Sequence, residues 1–150
     1  MGTEAYRRPD LYGTDETVRE ILRDGQTWFV VGLSDNRMRD AYRVASMLRS
    51  HGKRIVAVHP RAVPVFGEPA YATLGEAAAA EGAPDVVEVF VNSTRAGAIA
   101  DEAVAVGAGA VWFQFDVVDE AAAARVRDAG IPMVMDRCPV IDWPRLGPAA

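Results

Sequence analysis

The amino-acid sequence predicts an α/β fold of three layers, in which helices cover both faces of a five-stranded parallel sheet. Five short apolar runs are continuous rather than alternating, which is typical of strands buried on both faces. Helical patterns separate these runs, and such an alternation of helix and strand indicates parallel pairing. The strands are predicted at Trp28–Val31, Arg54–Val58, Val86–Phe90, Ala110–Phe115 and Pro132–Met135.

The helices between the strands can be placed from their end signals. Serine, threonine and aspartate cap the first turn of a helix, and glycine or proline ends the last one. These signals predict helices from Thr14 or Asp15 to Arg23, from the cap Asp40 to Gly52, from Thr73 or Gly75 to just before Gly82, from the cap Ser93 to Val106, and from the cap Asp119 through Glu120–Ala129.

Right-handed crossovers then give the strand order 3-2-1-4-5, a Rossmann-like arrangement with the first strand in the centre. The chain is predicted to be a single domain over residues 1–150, with residues 1–13 as an N-terminal extension. Ligands of such sheets bind outside the carboxyl ends of the strands, beside the first strand. The segments expected at that rim are Gly32–Arg39, His59–Arg61, Val91–Ser93, Gln114–Asp116 and Asp136–Cys138.

Composition narrows the class of protein. Of 150 residues, 50% are hydrophobic and 25% charged, and the net charge is −5, which argues against nonspecific nucleic-acid binding. No apolar run approaches the roughly 20 residues of a membrane helix, and the first residues lack the apolar core of a secretory signal. The single cysteine, Cys138, excludes an internal disulfide and a cysteine-cluster zinc site. A cytoplasmic location is expected.

Gly32 marks the most informative point of the chain. It ends the apolar run Trp28–Val31 and leads into a helix, a junction at which backbone N–H groups can hold phosphate. Residues 32–61 contain seven arginines and lysines against two aspartates, a net charge of +5 in a chain that is acidic as a whole. This cationic segment indicates an anionic small-molecule ligand.

The motif around Gly32 differs from that of a nucleotide dehydrogenase. A dehydrogenase has G-x-G-x-x-G at this turn, whereas Ser34 and Arg37 replace the later glycines. The second strand runs into His59-Pro60-Arg61 instead of the acid that holds an unmodified ribose. Arg61 suits a ribose that carries a phosphate, as in NADP and in coenzyme A, and the residues alone leave both open.

The combination of motifs resembles the small stand-alone CoA-binding domain family, which is similar to the CoA-binding N-terminal domain of the succinyl-CoA synthetase α subunit. The resemblance covers about residues 15–142. It implies that the ADP part of CoA lies across Gly32–Asn36 and the His59-Pro60 end of the second strand. The segments that carry it are Val30–Asn36, Tyr42–Ala45, Val56–Pro60, Phe66–Leu74, Asp85–Phe90, Val111–Gln114 and Val134–Cys138.

The sequence departs from the family pattern at several points of the rim. Arg37 and Asp40 stand where prolines are usual, and His59 stands where asparagine is frequent. The third predicted strand runs into Val91-Asn92-Ser93, where the family usually has one or two arginines. The residues expected to bind coenzyme A are Gly32, Leu33, Ser34, Asn36, Arg37, Arg39, Tyr42, His59, Pro60, Arg61, Tyr71, Gln114, Arg137 and Cys138.

The function expected from these residues is that of a non-catalytic protein that binds coenzyme A or an acyl-CoA, as a sensor or a carrier. No Ser-His-Asp, Cys-His or two-carboxylate arrangement can be assembled from the sequence, and no catalytic residue or metal ligand is predicted. The alternatives are an NADP-dependent oxidoreductase and a nucleotide-binding redox sensor. Neither nucleic acid nor a membrane is expected as a partner.

Overall fold

A parallel sheet of six strands runs through the middle of the molecule. The computed structural model describes residues 7–149. The strands are β1 (Thr27–Val31), β2 (Arg54–Val58), β3 (Ala70–Tyr71), β4 (Val86–Val89), β5 (Val111–Gln114) and β6 (Met133–Arg137), in the spatial order β3-β2-β1-β4-β5-β6. The α/β class and the parallel sheet predicted from the sequence are confirmed.

Helices cover both faces of the sheet, as the continuous apolar strands require. They are α1 (Pro9–Tyr12), α2 (Asp15–Asp24), α3 (Asp40–Ser50), α4 (Leu74–Glu81), α5 (Ser93–Ala105), α6 (Glu120–Asp128) and α7 (Pro139–Leu146). The buried residues of α1, α4, α5 and α6 form one core with Phe29 and Phe113. Those of α2, α3 and α7 form a second core with Trp28 and Trp112 on the opposite face.

The strand count and one strand position differ from the prediction. The short strand β3 pairs with the end of β2, through Ala57 with Ala70 and Val58 with Tyr71, and occupies the outer place beside it. Residues Val86–Val89, predicted as the third strand beyond β2, are therefore the fourth strand and pair with β1 from Trp28↔Val86 onward. Two residues are too few to produce a recognisable strand pattern, so β3 could not be predicted from the sequence.

Three of the predicted helix caps are confirmed. The side chains of Thr14, Thr73 and Asp119 each accept a hydrogen bond from the backbone N–H three residues later, at 3.0–3.1 Å. The other two caps are wrong, because Asp40 and Ser93 lie inside their helices and Arg39 and Asn92 precede them. The Ser93 hydroxyl instead donates to the Asp116 carbonyl and accepts from the Val118 N–H, so it joins α5 to the loop after β5.

The predicted N-terminal extension falls partly outside the described residues, which begin at Arg7. The rest of it contains α1, whose Leu11 is fully buried in the core. The Tyr12 hydroxyl donates to Glu120 of α6 at 2.8 Å. Within residues 7–149, no helix is both long and apolar enough to cross a membrane.

Glu88 is a carboxyl group in the interior of the sheet. It lies on β4 in register with Val30 of β1 and Trp112 of β5, and none of its surface is exposed. Neither carboxyl oxygen has a hydrogen-bond partner among the described residues. Burial disfavours the charged form and raises the pKa of Glu88 well above its usual value, so the group is protonated in the folded protein.

Candidate ligand-binding site at the carboxyl end of the sheet

The sheet has its switch point between β1 and β4. The helix that follows β1, α3, packs on the face of Trp28 and Trp112. The helix that follows β4, α5, packs on the opposite face. Two neighbouring strands whose helices depart to opposite faces leave a crevice between their carboxyl ends, and ligands of open α/β sheets bind there.

Gly32 sits at the base of this crevice. Its N–H donates to the Val58 carbonyl of β2, and the Phe90 N–H donates to the Val31 carbonyl, so β1, β2 and β4 end at one level. The φ of Gly32 is +101°, and a Cβ at this position would come within 3.1 Å of the Phe90 Cβ. Glycine is required here by the backbone conformation and by the close approach of β4.

The loop after Gly32 presents backbone donors. Leu33 is buried and anchors the loop, while Ser34 Oγ accepts from the Asn36 N–H at 3.2 Å and Asn36 Oδ1 accepts from the Met38 N–H at 3.0 Å. Within residues 7–149, the backbone N–H groups of residues 33–35 and 37 donate no hydrogen bond. Free amide groups before a helix N-terminus form a cradle for an anion.

His59 forms the wall of the crevice on the β2 side. Its backbone N–H donates to the Tyr71 carbonyl, and its Nδ1 accepts from the Arg61 N–H at 3.2 Å. Burial, and then the charges of Arg61 and Arg95, lower the pKa of His59. The ring is therefore neutral at pH 7, and because Nδ1 accepts, its proton is on Nε2, which can donate to a ligand.

Arg95 is a residue of this site that the sequence analysis missed. It lies in the first turn of α5, and its charge acts on His59 together with that of Arg61. Within residues 7–149, the four arginines Arg37, Arg39, Arg61 and Arg95 form no ion pair. Arg95 could have been identified from the motif Asn92-Ser93-Thr94-Arg95 after β4. The family usually has an arginine at the end of this strand, and in this chain the nearest arginine lies a few residues later, in the first turn of α5.

The predicted aromatic contacts make packing interactions. The Tyr42 ring lies against the Phe66 ring, with centroids 4.9 Å apart, and the Arg49 guanidinium lies over the same Phe66 ring. The Tyr71 hydroxyl donates to Glu81 of α4 at 2.6 Å, and α4 packs on the face of the sheet that carries Phe29 and Phe113. Pro60 is exposed beside His59, at the mouth of the crevice.

Gln114, Arg137 and Cys138 lie farther along the rim, on and after β5 and β6. Gln114 is in register with Arg137, and its Oε1 is buried with no partner among the described residues. The Arg137 guanidinium donates to Asp142, Asp15 and the Gly13 carbonyl, which holds α2 and α7 against β6. Cys138 is half-buried and precedes α7. The structure thus separates these three from the residues around Gly32.

A cavity of about 280 Å³ lies at the opposite end of the sheet, where the strands begin. Glu20, Asp24 and Asp85 line it, and no basic residue does. An acidic lining repels a phosphate group, so this cavity does not suit the anionic ligand that the sequence predicts.

Comparison with known proteins agrees with this geometry. The sequence profile of the CoA binding domain matches residues 26–144. The uncharacterized protein YneT of Bacillus subtilis (strain 168) is 31% identical over 121 residues, which are 81% of this chain and 87% of that protein. A hypothetical protein from Pyrococcus horikoshii OT3 superposes with a TM-score of 0.83 at 31% identity, over 93% of this chain and 96% of its own. A structure from Thermus thermophilus gives 0.81 at 30% identity, over 89% and 98%.

Proposed function

This chain belongs to the CoA-binding domain family, and from that premise we propose that it binds coenzyme A in the crevice between β1 and β4. The observation that carries the proposal is a set of four arginines, none with an ion pair within residues 7–149: Arg37 and Arg39 from the loop after β1, Arg61 from the loop after β2, and Arg95 from the first turn of α5. Unpaired guanidinium groups around one crevice favour a ligand with several phosphates.

The pyrophosphate of CoA would lie on the loop after Gly32. The backbone N–H groups of residues 33–35 and 37 donate no hydrogen bond within residues 7–149, and α3 begins after them at Asp40. The N-terminus of α5 adds a second partial positive charge, because Asn92 precedes it without a side-chain cap.

The ribose phosphate would lie between Arg61 and Arg95, beside His59. The segment His59-Pro60-Arg61 after β2 contains no carboxylate that could accept a hydrogen bond from a ribose hydroxyl. The neutral His59 ring would donate from Nε2, while the two guanidinium groups would balance the charge of the phosphate. Asp35 is an acidic neighbour of His59, and its negative charge partly offsets the positive charges of Arg61 and Arg95.

We propose that the protein acts by binding CoA or an acyl-CoA as a sensor or a carrier, in the cytoplasm, without a reaction of its own. Apart from the acidic Asp35, the polar side chains named around the crevice can donate hydrogen bonds or carry positive charge, which supports the binding of an anionic ligand. NADP would use the same ribose-phosphate contact, so the binding experiment includes both cofactors.

The experiment is a calorimetric titration of the full chain with CoA, dephospho-CoA and NADPH. A charge-assisted hydrogen bond contributes about 1.5–3 kcal/mol, so Arg61→Ala is expected to weaken CoA binding by roughly tenfold to a hundredfold. Dephospho-CoA, which lacks the ribose phosphate, should bind the variant and the parent protein alike. Arg19→Ala, on the exposed side of α2, is the matched control and should change nothing.

Equal losses of CoA and dephospho-CoA in Arg61→Ala would contradict the assigned contact. Tighter binding of NADPH than of CoA would replace the proposal with the reductase alternative.

A further inference from the structure

A second cleft opens at the carboxyl end of β6, and the residues around Gly32 do not take part in it. Its volume is about 660 Å³, and we call it the β6 cleft. Tyr12, Phe115, Met135, Cys138 and Ile141 line it together with three arginines and three aspartates. A volume of this size can receive part of a small molecule.

The charges that line the β6 cleft are already paired. Arg7 contacts Asp136 at 2.7 Å, Arg137 contacts Asp142 at 3.0 Å, and Arg145 contacts Asp15 at 2.7 Å. Hydrogen bonds from Arg145 and Arg137 lower the pKa of Asp15 to about 2, so this carboxylate stays charged and paired at neutral pH. A ligand carboxylate entering the cleft would find no unpaired arginine in its lining.

Two large apolar side chains at the mouth of the cleft are open to water, beside the six paired charges of its lining. Phe115 is 56% exposed and Ile141 is 70% exposed, an unusual degree for side chains of this size. They come from different elements, the loop after β5 and the first turn of α7. An apolar group placed between them would remove both surfaces from water, which is the main source of affinity for such a group.

The β6 cleft lies on the same rim as the crevice. Three strand spacings separate β1 from β6, which at about 4.8 Å each gives about 14 Å. The pantetheine arm of CoA is long enough to span that separation. Gln114 lies between the two sites, and its buried Oε1 lacks a donor among the described residues, as a pantetheine amide would provide.

We propose that the β6 cleft receives the acyl end of a bound acyl-CoA, and that the acyl group is neutral and apolar rather than dicarboxylic. The inference rests on the proposed binding of CoA at the crevice. Phe115 and Ile141 supply the attraction for an apolar acyl group. The three arginines of the lining are already paired, so none is left to bind the free carboxylate of a dicarboxylic acyl group. Hence the protein distinguishes acyl-CoA from free CoA by this cleft alone.

The test is a titration with CoA, butyryl-CoA and succinyl-CoA, for the parent chain and two variants. Burial of a short alkyl chain at the mouth should make butyryl-CoA bind roughly fivefold to tenfold more tightly than CoA. Succinyl-CoA should bind no more tightly than CoA. In Ile141→Ser the advantage of butyryl-CoA should fall to about twofold or less, with CoA affinity unchanged.

Val140→Ser is the matched control. Val140 is exposed on the same helix turn but does not line the cleft, so the variant should keep the full preference for butyryl-CoA. Equal affinity for CoA and butyryl-CoA, tighter binding of succinyl-CoA, or the same loss of preference in Val140→Ser would overturn the inference while CoA binding stands. Absence of binding by all three ligands would refute the proposed function itself.

Discussion

Replacement of Glu88 by glutamine should make the protein less sensitive to alkaline pH. In the unfolded chain this carboxyl ionises near the ordinary glutamate pKa of 4.5, whereas burial without a hydrogen-bond partner keeps it protonated in the fold. Above that pH the unfolded state has released a proton that the native state retains. The free energy of unfolding therefore falls as pH rises, until the pH reaches the raised pKa of the native group.

The size of this effect follows from proton linkage. One group that is protonated only in the native state lowers the free energy of unfolding by up to about 1.4 kcal/mol for each pH unit. Between about pH 5 and about pH 7 the loss accumulates at up to this rate, which is a sizeable fraction, for each pH unit, of the roughly 5–15 kcal/mol that stabilises an ordinary domain. Glutamine has nearly the same shape as glutamic acid and no proton to release, so the variant should lack this contribution.

Urea unfolding of both proteins across this pH range, followed by the fluorescence of the buried Trp28 and Trp112, measures the difference. The stability of Glu88→Gln relative to the parent chain should increase with pH, by up to about 1.4 kcal/mol for each pH unit, until the pH reaches the raised pKa of Glu88. Glu102→Gln, at an exposed position of α5, should follow the parent profile. Parallel profiles for Glu88→Gln and the parent would refute the reasoning, because they would mean that Glu88 is ionised in the fold.

Three further outcomes are expected. Gly32→Val should lose CoA binding and also stability, as measured by thermal unfolding, because φ is +101° and the added Cβ would contact Phe90. Full CoA affinity in a folded variant would argue against the site. Arg137→Ala should lower the free energy of unfolding by about 2–4 kcal/mol by leaving the buried Asp142 carboxylate unpaired, and a loss below about 0.5 kcal/mol would show that the pair is dispensable. Cys138, which lines the β6 cleft, should attack CoA disulfide to give a mixed disulfide and release CoA thiol. Intact mass spectrometry should show a dithiothreitol-reversible adduct that Cys138→Ser abolishes, and an unmodified protein that still binds CoA would leave the cysteine structural.

Most of the fold could be predicted because its signals are local and repeated. The buried strands are continuous apolar runs, and Thr14, Thr73 and Asp119 cap their helices as the sequence indicates. The departures arise where local chemistry is ambiguous. Ser93 has the chemistry of a cap, yet it bonds to a loop that the sequence does not place beside it. Helix α7 contains Pro144, which by itself would argue against a helix.

The candidate site was only partly accessible from sequence for a similar reason. Gly32 and Arg61 could be identified from the sequence because Gly32 directly follows β1 and Arg61 belongs to the His59-Pro60-Arg61 segment that follows β2. Arg95 does not, since its nearness to His59 depends on β4 lying beside β1, and the prediction had placed that strand beyond β2. Arg137 is predicted to be available because it follows a strand at the rim, whereas its guanidinium is paired with Asp142 in α7 and with Asp15, which lies far away along the chain.

The segment that the family profile matches is shorter than the segment that closes this core. The family profile begins at residue 26. Before it, Leu11 fills one face of the sheet, and Val18, Ile21 and Leu22 fill the other. A chain shortened to residues 26–144 would retain every arginine of the crevice while both hydrophobic cores lay open to water on their outer side. The proposed ligand contacts and the closed hydrophobic cores therefore depend on overlapping but unequal stretches of this sequence.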